Sequence, residues 1–352
     1  WFFYLFWKAQ LVVREAFGIG RWSGPYMGDQ SAGAWVGLGI MSIWLSRQSI
    51  LRIIKAVFSR KKPNDSDEPL PYRVAFFGVI VGIGLLSAFS WVAGMSFGVA
   101  LAFFSLYFII VLAATRMRAE LGPPTHDLYF EGPDRILTSA LGTKRLGNSD
   151  LTVFALFFWM TRDYRCHPMP HQLEGFKLAE KAGFNNRRLV VAIMIATIIG
   201  TLATFWAILS LFYEFGASSR SRGYVLGLSW ESYNRLQGWL EYPSSPNMQI
   251  LGQMGFGLVL TIFLMIMRRM FLGFPFHPVG YAVAGSWTMS WMWFSVMLSW
   301  LIKYILLRSG GLRPYRKGIP FFLGLMLGQF VSGSLWCLYG AITDTPVYGF
   351  FV

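Results

Sequence analysis

The chain has 352 residues, of which 55% are hydrophobic and only 14% are charged, and its formal net charge is +14. Soluble domains carry about 25% charged residues, so this composition excludes a set of ordinary water-soluble domains. The high aromatic content excludes a disordered chain, and the presence of only two cysteines excludes a disulfide scaffold. The composition predicts an all-α fold, a polytopic transmembrane helix bundle that forms a single membrane domain over residues 1–352.

The sequence begins at Trp1, without a methionine, inside the aromatic stretch WFFYLFW. No basic region precedes this stretch and no small-residue cleavage site follows it, so it is not a signal peptide. We therefore expect the chain to be N-terminally incomplete, with further spans before it.

Apolar segments long enough to cross a bilayer, about 20 residues, recur along the chain. The uncharged segment 75–115 predicts two spans joined by a tight turn near Gly94. Residues 151–161 are apolar but too short to cross, which predicts an interfacial or re-entrant segment. Single spans are predicted at 32–51, 189–213, 250–267 and 319–342. Glycine pairs at four-residue spacing permit close helix approach in lipid, and we expect them to serve packing within the chain: Gly78 and Gly82, Gly94 and Gly98, and Gly324 and Gly328.

The distribution of basic residues predicts the topology, because cytoplasmic loops of membrane proteins are rich in Lys and Arg. The basic segment 116–188 is predicted to be a cytoplasmic-side loop and interfacial region, and 214–249, where acidic and basic residues balance, an outer-side loop. These sides alternate correctly if the uncharged segment 270–302 enters and leaves the membrane on one side. We expect a cytoplasmic (inner) membrane location with basic loops in the cytoplasm. The basic residues lie between apolar runs and form no face with interleaved aromatics, so no nucleic-acid partner is expected.

An internal repeat relates two segments that each follow a predicted span. Residues 118–126 read RAELGPPTH and residues 269–277 read RMFLGFPFH, and both fit R-x-x-L-G-x-P-x-H. Glycine and proline interrupt a helix and leave backbone groups that must find partners, as in the broken helices that form transporter binding sites. The alternative is a pair of ordinary helix ends at the interface. The predicted substrate-binding residues are Gly122, Pro124, His126, Gly273, Pro275, His277 and Gly280.

Motifs for catalysis are absent from the sequence. No phosphate-binding loop, H-E-x-x-H, C-x-x-C or G-x-S-x-G occurs, so we expect no enzyme activity and no cofactor. Cys166, His167 and His171 form a candidate soft-metal site, but their spacing matches no standard structural site. A packed junction between a loop and a helix is the favoured interpretation of these residues. Asp29 is a candidate ion or proton site if it is buried.

Four strings carry a family resemblance: RMRAELGPPTHDL, HPMPHQLEGFKLAE, FPFHPVGYAVAGSW and KYILLRSGGLRPYRKGIPFFLGLMLGQFVSG. They resemble a family of large bacterial polytopic membrane proteins of unknown function, which is similar to the oligopeptide-transporter superfamily. The resemblance implies a many-helix secondary-carrier fold, with peptides, amino-acid derivatives or metal chelates as cargo.

The sequence therefore predicts a secondary carrier that moves a small solute, such as a peptide or a metal chelate, through the lipid bilayer by alternating access. The alternative is a structural or scaffold subunit that binds other membrane subunits and transports nothing. A polar cavity between the two repeat segments favours the carrier, and a filled apolar core favours the scaffold.

Overall fold

A computed structural model describes residues 1–18, 27–60, 65, 68–122, 128, 131–162, 164–165, 167–217, 223–345 and 347. The described residues form fourteen helices and no strand, which confirms the predicted all-α polytopic bundle. Residues 2–291 form one compact unit, and residues 292–352 together with Trp1 form another. We call them the large unit and the C-terminal unit.

The helices follow the predicted spans closely, with ends shifted by a few residues. In chain order they are α1 (Phe2–Ala16), α2 (Met27–Phe58), α3 (Tyr72–Val92), α4 (Phe97–Leu121), α5 (Pro133–Leu141), α6 (Asn148–Leu156), α7 (Phe158–Thr161), α8 (Pro168–Ala182), α9 (Asn186–Phe215), α10 (Gly223–Glu241), α11 (Met248–Met270), α12 (Pro278–Val283), α13 (Trp287–Gly310) and α14 (Leu312–Thr343).

Six of these helices, α3, α4, α9, α11, α13 and α14, are long and apolar enough to cross a membrane. They are long enough to cross the hydrocarbon core of a bilayer, and most of the residues in each apolar window are not buried within the chain, which suits a lipid environment. The protein is an integral membrane protein. Helix α2 contains the span predicted at 32–51 but is not among the six.

Helices α3 and α4 form the predicted hairpin. Helix α3 ends at Val92, Gly94 takes a positive φ of 103°, and α4 begins at Phe97. Only glycine adopts this conformation without steric cost. We call the end of α4 near Arg116 the basic end, and the end near Ser96 the opposite end.

Helix α2 packs against α11 at backbone contact, and glycine makes this possible. A Cβ atom on Gly33 would lie 1.8 Å from the carbonyl oxygen of Met254, and one on Gly257 would lie 1.9 Å from the carbonyl oxygen of Gln30. On another face of α2, a Cβ on Gly39 would lie 2.4 Å from the carbonyl oxygen of Ile109 in α4. Small residues in membrane helices permit such close approach, so α2 is the helix around which α4 and α11 are arranged.

The side chain of Gln30 makes hydrogen bonds to three other helices near this crossing. Its amide nitrogen donates to the side-chain oxygens of Gln10 (2.9 Å) and Gln253 (2.7 Å), while its own oxygen accepts from the Tyr281 hydroxyl at 2.8 Å. Ser31 donates to the carbonyl of Ala282 at 2.6 Å. Helices α1, α11 and α12 are therefore held to the start of α2 by polar contacts within the bundle.

The glycine pairs singled out in the sequence do not lie at these close contacts between helices. A Cβ atom added at Gly78, Gly82, Gly98, Gly324 or Gly328 would meet nothing within 4 Å among the described residues. The expectation that these pairs serve packing within the chain is therefore wrong for these positions. The close approaches lie instead at Gly33, Gly39 and Gly257.

The segment 148–174 runs beside α4 from its opposite end to its basic end. From Ser96 to Arg118 α4 rises about 33 Å at 1.5 Å per residue. The segment beside it is a broken helix that extends over the same distance. It is interrupted at Phe157 and again before α8. Four contacts mark its course: Asp150 with Ser96, Phe154 with Phe103, Tyr164 with Tyr107, and Glu174 with Arg118.

This arrangement differs from the interfacial or re-entrant segment expected at 151–161. The apolar run ends at Thr161, but the chain continues along α4 through polar residues that a search for apolar runs omits.

The two predicted loop regions contain helices. Within 116–188 the structure contains α5 to α8, and within 214–249 it contains α10, whose Ser232 hydroxyl donates to the buried carbonyl of Ala155. The side of the membrane on which each region lies stays a prediction.

The uncharged stretch 270–302 contains a connector, a short helix and the start of a long one. Residues 271–277 link α11 to α12, and α12 packs against α2 and α11. Helix α13 then begins at Trp287 and is itself long enough to span. In the C-terminal unit, Gly311 (φ 68°) separates α13 from α14, and the Lys303 ammonium lies 5.4 Å from the centre of the Tyr315 ring.

Substituting Gly257 with alanine tests the α2–α11 crossing. The new methyl group would collide with the backbone of α2, which cannot move as a side chain does, so we expect a loss of about 1–3 kcal/mol in the free energy of unfolding. Unfolding of the purified protein in mixed micelles measures this loss.

The matched control is Gly255→Ala on the same helix, where the new methyl group would meet nothing within 4 Å. Alanine favours a helix over glycine by up to about 1 kcal/mol, so this variant should be as stable as the original or more stable. Equal destabilisation by both substitutions would contradict the crossing.

Candidate functional site

A cavity of about 860 Å³ lies in the large unit where α4 and α11 end beside the middle of α2. We call it the helix-end cavity. It lies beside the described parts of both repeat segments, since Glu120 and Leu121 line it from the first and Arg269, Met270 and His277 line it from the second. The remaining lining residues are Met41, Trp44, Leu45, Arg47, Gln48, Arg116, Met265, Ile266, Arg268 and Pro278.

The two repeat segments end their helices in different ways. Helix α4 ends in a left-handed cap at Gly122 (φ 63°), whose amide donates to the carbonyl of Arg118, as is common for glycine after a helix. The last residue of α11 is Met270, and Phe271 after it has extended backbone. Gly273 and Pro275 follow in the connector. Pro124 and His126 of the first segment lie outside the described residues.

His277 begins α12 and faces the helix-end cavity. Its Nδ1 accepts a hydrogen bond from the amide of Val279 at 3.2 Å, so the side chain caps the helix, and Pro278 occupies the first helical position. Gly280 lies within this short helix. The Nε2 atom is buried and has no hydrogen-bond partner among the described residues, since the nearest carboxylate oxygen, on Glu120, is 3.9 Å away.

Burial and the neighbouring charge keep His277 neutral. Desolvation, followed by repulsion from Arg268, lowers the pKa of His277 from 6.5 to about 4, although the Glu120 carboxylate acts in the opposite direction. With Nδ1 accepting, the neutral imidazole carries its proton on Nε2. His277 therefore offers one N–H donor that needs an acceptor.

Positive charge predominates around the cavity. The Arg116 guanidinium is paired with Glu120 at 2.7 Å, and Arg47 lies over the Trp44 ring and donates to its carbonyl. Arg268 and Arg269 are exposed and make no hydrogen bond or ion pair with any described residue. The cavity thus combines guanidinium groups with an apolar wall.

The predicted soft-metal ligands have separate partners. The His167 Nδ1 accepts from the amide of Met169 at 3.2 Å and caps α8, just as His277 caps α12. The His171 Nε2 pairs with the carbonyl of Arg165 at 3.1 Å. Cys166 lies outside the described residues, and no cluster of three metal-ligating side chains occurs among those that are described.

A second, smaller cavity of about 300 Å³ is lined by charged side chains that sequence analysis did not bring together. We call it the ion-pair cavity. Asp134 and Arg135 of α5, Phe158 and Thr161 of α7, and Glu231 and Arg235 of α10 line it, with Gly132. It lies beside the break in the segment that follows α4.

Three acid–base pairs surround the ion-pair cavity. Asp29, which is 2% exposed, pairs with Arg135 at 2.7 Å; Asp134, also 2% exposed, pairs with Arg235 at 2.5 Å; and Glu231 pairs with Arg162 at 3.1 Å. The Arg235 guanidinium also lies over the rings of Phe158 and Trp239. Asp29 is therefore buried, which was the condition for an ion or proton site at this residue. Its charge is neutralised by Arg135 of α5.

Sequence analysis missed these pairs because five of their six members lie in segments interpreted as loops. The sequence did contain a signal: the adjacent Asp134 and Arg135 could pair with the balanced charges of 214–249. A search limited to charges within apolar spans does not consider either region. Charges in a buried environment require partners, and α5, α10 and Arg162 after the end of α7 supply them.

Acidification should destabilise the protein partly through His277. Because the folded state keeps this imidazole neutral down to about pH 4, the unfolded state binds more protons between about pH 6.5 and 4, and stability falls as the pH falls through that window. His277→Asn removes the titration and keeps a good capping side chain, so its unfolding temperature should fall less between pH 7 and 5.

His167→Asn is the control, since it alters the same kind of cap outside the cavity. Its unfolding temperature at pH 7 measures how much the change of the capping side chain alone affects stability. An unchanged pH dependence in His277→Asn would contradict the burial of this histidine.

Asp29→Asn tests the ion-pair cavity. It removes the carboxylate charge that pairs with Arg135, and we expect a loss of about 2–3 kcal/mol in the free energy of unfolding, somewhat below the value for a fully buried pair because about a third of the Arg135 side chain is exposed. The double variant Asp29→Asn/Arg135→Gln should be more stable than the single one. Strict additivity in unfolding measurements of this double-mutant cycle would show that the pair contributes no coupling.

Comparison with known proteins gives one match. The family of unknown function DUF6785 matches residues 1–352. No curated protein and no solved structure matches the chain significantly. The comparisons bear out an uncharacterised family but show no link to the oligopeptide-transporter superfamily. Because the match extends over the whole chain, the protein belongs to the DUF6785 family.

Proposed function

We propose that this membrane protein is a secondary carrier that moves a small solute by alternating access, with the helix-end cavity as its solute site. The observation that carries the proposal is the cavity of about 860 Å³ beside the described parts of both repeat segments. Its volume is within the range of ligand pockets, about 300–1,000 Å³. We propose peptides and metal chelates as its solutes, which is what the resemblance of the four sequence strings implies and what no comparison shows.

The interior of the bundle supports a carrier over an inert scaffold. Non-helical backbone at membrane depth is tolerated where it is buried in protein or lines a polar cavity, and ionisable groups inside membrane proteins commonly belong to solute or ion pathways. The break beside the ion-pair cavity, which lies along the middle of α4, is of the first kind, and the acid–base pairs around that cavity are of the second. A structural subunit needs neither feature.

The scaffold alternative has one observation in its favour. Helices α9 and α13 have no buried side chain, and α14 has only Gly333 and Gly340 buried. Lipid covers such surfaces in a carrier, and neighbouring chains cover them in a scaffold. Native mass spectrometry of the protein released from its own membrane distinguishes the two, because only a scaffold should retain other membrane chains at fixed stoichiometry.

Blocking the helix-end cavity should stop transport. We expect Met265→Cys, placed in a chain with Cys166→Ser and Cys337→Ser, to lose at least about tenfold of its uptake rate after reaction with a bulky maleimide. Uptake into proteoliposomes is measured with a defined mixture of dipeptides, tripeptides and amino-acid metal chelates, and mass spectrometry identifies the solutes that enter.

The control is Met248→Cys, which lies at the other end of α11 and is 73% exposed. The same maleimide should leave its uptake unchanged. Entry of every solute at the rate of protein-free vesicles would contradict the carrier, and unimpaired uptake after labelling at 265 would remove the helix-end cavity from the path.

A further inference from the structure

We propose that the helix-end cavity binds an anionic group, a carboxylate or a phosphate, that is attached to an apolar body. This inference rests on the proposed function only in treating the cavity as a ligand site. It concerns the chemistry of the ligand, whether that ligand is a transported solute or the headgroup of an anionic lipid.

The charge of the cavity wall is the first argument. Four arginines line the cavity, at positions 47, 116, 268 and 269, and Glu120 is the acidic residue among the described lining residues. The C-termini of α4 and α11 each add about half a negative charge. An excess of about two positive charges therefore remains, and a bound anion would neutralise it.

The hydrogen-bond donors are the second argument. Glu120 occupies Arg116 through their ion pair, whereas Arg268 and Arg269 make no such bond with the described residues. The neutral His277 adds its Nε2–H, which is 3.9 Å from the nearest Glu120 oxygen, too far for a hydrogen bond. Guanidinium groups bind carboxylates and phosphates through parallel hydrogen bonds, so this donor set matches an anion and not a cation.

The apolar wall defines the rest of the ligand. Met41, Trp44 and Leu45 of α2 face the cavity from one side, and Met265 and Ile266 of α11 face it from another. Flexible methionine side chains adapt to apolar groups of different shapes. A small inorganic anion would leave this wall uncovered, so we expect an apolar body to strengthen binding.

A matched pair of probes tests the anion directly. The purified chain is placed in nanodiscs of phosphatidylcholine, and its unfolding midpoint is followed against the concentration of N-acetyl-Leu-Phe, of the C-terminal amide of that peptide, and of inorganic phosphate. Ligands that bind the folded state raise the midpoint. A second series replaces part of the phosphatidylcholine with phosphatidylglycerol.

Arg268→Gln is the test variant. Loss of a charge-assisted hydrogen bond costs about 1.5–3 kcal/mol, so binding should weaken at least about tenfold, and Arg268→Lys should recover part of it. Arg145→Gln, an equal loss of charge at an exposed turn between α5 and α6, should bind like the original chain.

The expected result is stabilisation by the free carboxylate or by phosphatidylglycerol, loss of that effect in Arg268→Gln, and a much smaller effect of the amide. A response to the soluble carboxylate identifies a solute site, and a response to phosphatidylglycerol alone identifies a lipid headgroup site. Equal effects of carboxylate and amide, an undiminished effect in Arg268→Gln, or no effect of any anion would overturn the proposal.

These outcomes are separable from those of the uptake experiment. Anion binding without uptake would support the anionic site and contradict the carrier. Uptake of uncharged or cationic solutes only, without anion binding, would support the carrier and contradict the anionic site.

Discussion

The structure depends on the backbone contact between α2 and α11. Gly33 and Gly257 allow the two helices to touch without intervening side chains, with the Met254 and Gln30 carbonyls where Cβ atoms would otherwise stand. In lipid there is little hydrophobic drive for helices to associate, so close packing and polar contacts must supply it. The Gln30 side chain adds such contacts at the same point, and the positions of α1, α4 and α12 follow from that of α2.

Both cavities result from interruptions around this fixed core. Where α4 and α11 end beside α2, the charged residues near those two helix ends line the helix-end cavity. Where the segment after α4 breaks between α6 and α8, α10 and α5 bring in charges that pair around the ion-pair cavity. Backbone interruptions thus provide the polar interior that the apolar helices cannot.

The sequence predicted the elements that depend on local patterns. Uncharged length and Gly94 predicted the α3–α4 hairpin, and each repeat segment contains a helix end beside the same cavity. Of the described members of the predicted site, His277 is the one that lines this cavity. It failed where contacts join distant segments. The glycines that pack are not distinguishable by spacing from those that meet nothing, as Gly33 and Gly78 illustrate. Likewise, Arg135 and Arg235 are typical loop residues in sequence, and only the fold shows that each neutralises a buried aspartate.

Electron cryomicroscopy of the full-length protein in phosphatidylglycerol-containing nanodiscs, with the acetylated peptide present, tests the account most directly. We predict α2 and α11 in contact at Gly33 and Gly257, and density within the helix-end cavity that touches both Arg268 and His277. A bundle in which apolar side chains fill the space between the ends of α4 and α11, with no room for a ligand, would contradict it.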